Sequence, residues 1–71
     1  MRKTANLITA AHFNEIYPIG SKFRYYPIRG ENDFIETKTR SVAWELGHGE
    51  PVVLVEGKTG GVSLEHLIAI P

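Results

Sequence analysis

Three kinds of residue in this chain have side chains suited to chemistry: its histidines, its serines and a mixed set of aromatic and basic residues. His12, His48 and His66 are the only imidazoles. None stands in a metal-binding spacing such as His-Glu-x-x-His, and with no cysteine in the chain no thiolate site is available. Ser41 and Ser63 lack the strand-to-helix setting of an activated nucleophile, and Ser41 is accounted for by capping or strand structure. Gly57-Lys58-Thr59-Gly60-Gly61 places Gly, Lys and Thr together as a phosphate-binding loop does. Such a loop needs a glycine at the position held by Val52, and a helix after it where this chain has a strand, so the segment reads as the turn of a hairpin. The expectation is a protein with no catalytic residue, no metal site and no cofactor. What remains is Arg24, Tyr25, Tyr26, Arg29, Arg40 and Trp44, a set suited to binding.

The elements that position this set must be few. A chain of 71 residues allows one domain, 1–71, with a thin core, since a chain of this size buries only roughly 60% of the surface its unfolded form exposes. Eight basic side chains balance eight acidic ones, so no global charge draws the protein to phosphate backbones or anionic lipids. No stretch approaches the roughly 20 apolar residues needed to span a bilayer, and the N-terminus has no long apolar leader core. The expectation is a soluble cytoplasmic protein with no membrane partner.

Residues 1–19 read as an arm and a short helix. Thr9 caps it, and Phe13, Ile16 and Tyr17 form one apolar stripe, with Ile8 and Phe13 placed to make a hydrophobic staple. Pro18 stops it. From Gly20 onward the pattern is β. Lys22 to Ile28 alternates Phe23 and Tyr25 inward against Lys22, Arg24 and Tyr26, with Pro27 marking an edge or bend. Phe34 to Ser41 is a second strand. Ser41 then caps a single helical turn over 42–46, with Gly47 as a left-handed stop; the rival reading continues the strand to Leu46. Pro51 to Glu56 is a β-branched central strand, and Gly57 to Gly61 turns it into Val62-Ser63-Leu64. Glu65-His66-Leu67 suits a 3₁₀ turn, and Ile68-Ala69-Ile70 returns beside the first strand. This order predicts a mainly β fold: a five-stranded SH3-like barrel over 20–71 with a short N-terminal α-helix.

In such barrels the first long loop and the loop between the second and third strands commonly border a ligand groove. Here those loops hold Arg29 to Asp33 and Val42 to Glu50. The candidate binding residues are therefore Arg24, Tyr26, Arg29, Arg40 and Trp44, able to receive a proline-rich peptide or to stack on a base. Against this, Trp44 reads more strongly as one of the largest core residues of a core-poor domain, whereas Tyr26 has strand parity opposite to Phe23.

Phe13-Asn14, Tyr17-Pro18-Ile19-Gly20, Arg24-Tyr25-Tyr26-Pro27, Thr39-Arg40-Ser41, Ala43-Trp44, Leu46-Gly47-His48-Gly49 and Pro51-Val52-Val53 through Gly60-Gly61-Val62 together give the chain a resemblance to small uncharacterised proteins of bacteriophages and prophages. The resemblance implies a setting and carries over no site residues. The expected role is a non-enzymatic module that binds a host or phage protein through an aromatic groove. The alternatives are a small barrel that binds single-stranded nucleic acid and an accessory part of a virion.

Overall fold

The computed structural model describes residues 9–28 and 30–70. Helix α1 spans Ala10–Ile16 and is followed by strands β1 (Lys22–Tyr25), β2 (Ile35–Lys38), β3 (Trp44–Glu45), β4 (Pro51–Val53) and β5 (Val62–Ser63). A 3₁₀ turn over Leu64–His66 then leads into β6 (Leu67–Ala69). The strands form two three-stranded antiparallel sheets, one ordered β2-β1-β6 and the other β3-β4-β5. A lone bridge between Thr39 and Val55 joins them.

Thr9 caps α1 as its residue type predicts, its Oγ1 accepting from the His12 N–H at 3.1 Å. Tyr17, held extended ahead of Pro18, ends the helix. Phe13 is buried and its ring lies 5.5 Å from Phe23 and 5.0 Å from Tyr17, so an aromatic trio ties the helix to β1. Ile16, expected in the same stripe, is 48% exposed. The contact face is instead Ala10, Phe13 and Tyr17, the i, i+3, i+7 line of the helix. The staple between Ile8 and Phe13 lies outside the described residues.

Alternation in β1 is as the sequence predicts, with Phe23 and Tyr25 buried and Lys22 and Arg24 exposed. In the central segment Val53 and Val55 face the core, and they are joined there by Val62, Leu64 and Leu67. Val52 is also buried, but on the opposite face of its sheet, for a reason given below. The hairpin after Val55 turns through Gly57 and Gly60, whose φ values of 86° and 79° require glycine.

Where five strands are expected the described residues form six short ones, because the second is interrupted. Between the Thr39–Val55 bridge and the Trp44–Val52 pair, Arg40, Ser41, Val42 and Ala43 face only Val53 and Leu54. The surplus bulges. The Arg40 N–H donates to the Leu54 carbonyl, and Ser41 Oγ accepts the Leu54 N–H at 3.2 Å. Ser41 thus satisfies a strand donor and caps no helix. The helical turn expected over 42–46 is absent: Trp44–Glu45 is strand, and Gly49, with φ of 93°, takes the left-handed position expected of Gly47. Pairing with β4 satisfies more backbone than one isolated helical turn can.

Candidate protein-interaction surface

The residues expected to line one groove fall into separate places. Arg24 and Tyr26 lie on the outer face of the first sheet, where the β1–β2 register sets Arg24 opposite Glu36. Phe34 completes this group, its ring 5.3 Å from Tyr26 and beneath the Arg24 guanidinium at 4.7 Å. Tyr26 is fixed by its backbone: its N–H donates to the His66 carbonyl and its carbonyl lies 2.8 Å from His66 Nδ1. Arg29 lies outside the described residues.

Arg40 stands apart from both aromatic groups. Its Nε donates to the Val55 carbonyl at 3.0 Å and its Nη2 to the Lys58 carbonyl at 2.9 Å. Together with Thr37 Oγ1, which donates to the Glu56 carbonyl at 2.8 Å, it holds the base of the β4–β5 hairpin against β2. These two bonds use two of the five guanidinium N–H donors and fix where the charge sits.

Trp44 is not a core residue. It is 40% exposed, and its indole lies across the outside of the second sheet over Val52 and Gly61. A Cβ on Gly61 would stand 3.0 Å from Trp44 Cη2 and 3.1 Å from Val52 Cγ2, so glycine here makes room for the ring. This cover is what buries Val52 on the sheet face away from the core. Val42 and Leu46 stand two positions before and after Trp44. Both are exposed, Val42 at 56%. The alternate positions Ala43 and Glu45 turn the other way, Ala43 into the core.

β3 is a sheet edge, and α1 guards it. Ala43 donates its N–H to Asn14 Oδ1 at 2.7 Å and accepts from Asn14 Nδ2 at 3.0 Å, so one side-chain amide occupies both backbone groups. Glu45 Oε2 lies 3.5 Å from the Ala10 N–H, at the helix N-terminus. An edge closed in this way resists the addition of a strand at Ala43 but leaves the apolar face of the strip open.

Beside the strip, the Glu50 carbonyl accepts the Leu46 N–H, and His48 Nε2 lies 3.9 Å from the Glu50 carboxylate. No Lys or Arg occurs from Ser41 to Gly57 or from Thr9 to Ser21. Sequence reasoning missed Val42, Leu46, Phe34, Glu50 and Gly61. The signal for the strip was present as Val-x-Trp-x-Leu, an alternation masked by reading Ser41 as a helix cap.

Among the described residues no three or more of His, Cys, Asp and Glu come together as a metal site. His12, His48 and His66 lie on α1, in the β3–β4 turn and in the 3₁₀ turn. No described helix is long and apolar enough to cross a membrane. No protein-family model matches the chain, and no curated protein or solved structure matches it.

Proposed function

We propose that this chain is a non-enzymatic protein-interaction module built on an SH3-like barrel, and that it works in a bacteriophage or prophage setting in the cytoplasm of a bacterial host. The barrel reading is supported by strand order. β2 and β3 act as two halves of one bent strand, the first half beside β1 and β6 and the second beside β4 and β5, with a 3₁₀ turn ahead of the last strand. The phage setting rests on the resemblance of the motifs named above.

The observation that carries the binding role is the exposed strip Val42, Trp44 and Leu46, with the indole seated on Gly61. A large aromatic ring fixed in place and left half open is the kind of side chain that dominates protein interfaces. The same geometry disfavours the nucleic-acid alternative. Bases stacking on Trp44 would bring phosphates toward Glu50, and no Lys or Arg lies in 41–57 to receive them. The Arg24, Tyr26 and Phe34 group is a second patch on the same module.

Affinity capture from host lysate with the full chain, Trp44→Ala and Arg24→Ala tests this reading. The reading expects a specific protein held by wild type and by Arg24→Ala, and lost from Trp44→Ala, whose fold is checked by circular dichroism. Loss of an interface anchor costs about 2 kcal/mol or more. Capture unaffected by Trp44→Ala contradicts the reading.

A further inference from the structure

We infer that His66 is a positioning residue for the Arg24, Tyr26 and Phe34 patch: as its Nδ1–H tautomer it clamps the Tyr26 carbonyl and so fixes the strand end that carries the patch. The clamp is independent of what the Trp44 strip binds.

The β1–β6 ladder ends at Tyr25 opposite Leu67. One step further, the Tyr26 N–H still donates to the His66 carbonyl at 2.8 Å, which is half of the next pair of ladder bonds. In a continuing ladder the other half would be the His66 N–H donating to the Tyr26 carbonyl. His66, however, is the last residue of the 3₁₀ turn over Leu64–His66, and its imidazole Nδ1, 2.8 Å from that carbonyl, takes this place. A carbonyl oxygen can only accept, so Nδ1 carries the proton and, in the neutral ring, Nε2 carries the lone pair. The buried Tyr25 ring, its centroid 5.9 Å from that of the imidazole, confines the ring further. The clamp holds Tyr26 where the chain leaves the sheet, for Pro27 follows and has no N–H to offer. The Tyr26 ring stands 5.3 Å from Phe34, and Phe34 lies beneath the Arg24 guanidinium at 4.7 Å. Without the imidazole, Tyr26 keeps one of its two bonds to His66, and its ring loses its fixed distance from Phe34.

Nitrogen-15 NMR of the full chain at alkaline pH, correlating the ring nitrogens of each histidine with its carbon-bound protons, reads the tautomer in wild type. His66 is expected to show Nε2, the nitrogen without a proton, far downfield of Nδ1. In His66→Ala, cross-peaks between the Tyr26 and Phe34 rings should weaken, and the Tyr26 N–H should exchange with solvent about 2- to 10-fold faster, the range for one lost hydrogen bond. His66→Asn, whose amide nitrogen stands near the place of Nδ1, should restore both readouts. His66→Gln, which reaches one bond further, should not. A wild-type His66 with its proton on Nε2 overturns the inference whatever the variants do. So do ring contacts and exchange in His66→Ala that match wild type, failure of His66→Asn to restore them, or equal restoration by His66→Gln.

Discussion

The two aromatic groups nearest the helix and the β3 edge have opposite fates. Phe13, Tyr17 and Phe23 come together from α1, its C-terminal cap and β1 and pack ring on ring in the core. Trp44 lies on the outside of the second sheet, between exposed Val42 and Leu46 in sequence, with Val52 and Gly61 beneath it. A small domain gains most by burying its largest side chain, because stability scales with the apolar area removed from water. Placing the only tryptophan at the surface forgoes part of that gain, and the cost is understandable if the ring serves a contact.

If the trio is structural and the strip is not, substitutions should separate the two regions. The largest effect is expected in the trio: Phe13→Ala or Phe23→Ala should destabilise by about 3–5 kcal/mol, enough to unfold a marginal domain, as read by urea denaturation. A melt close to wild type would contradict the core assignment. Next, Val53→Ala should cost about 2 kcal/mol, and Leu54→Ala, although it removes more atoms, below about 1 kcal/mol. Val53 is fully buried while Leu54 is only partly so. The reverse order would invert the facing of the central segment.

Asn14→Ala joins the two regions, since Asn14 sits on the helix of one and grips the edge strand of the other. Losing both contacts with Ala43 should cost about 1–3 kcal/mol and uncover the β3 edge, so that light scattering rises along with the loss of stability. A destabilised chain that stays monomeric at high concentration would remove the edge-guarding role. Trp44→Ala should reduce stability by only about 1 kcal/mol. The smallest effect belongs to Gly61→Ala, whose Cβ requires the indole and Val52 to give by a few tenths of an ångström; it should shift Trp44 emission more clearly than melting temperature.

The same contrast marks how far the sequence alone could be read. Phe23 and Tyr25 alternate on a strand whose neighbours are charged, Thr9 and Pro18 bracket the helix, and Gly57 and Gly60 flag a hairpin, all local signals that the structure bears out. What failed was decided at a distance. Ser41 has the side chain of a helix cap, but its oxygen bonds to Leu54, thirteen positions away, and only pairing with β4 turns Trp44 into strand. Ile16 fits the helical stripe by spacing, yet the aromatic trio rotates the contact face toward Ala10 and leaves Ile16 in water. Arg40 looks like a free cation until the hairpin carbonyls are brought to it.

Because Trp44 is the only tryptophan, its fluorescence in the full chain reports directly on the claim that the strip is open and made for a protein segment. In the free protein the account predicts an emission maximum and acrylamide quenching between those of buried and fully exposed indole. It predicts a saturable blue shift on titration with the protein partner captured by the full chain. Single-stranded oligonucleotides at low salt should produce no saturable change below about 10 μM beyond ordinary non-specific binding. A fully buried emission in the free chain, or tight and salt-sensitive oligonucleotide binding, would contradict it.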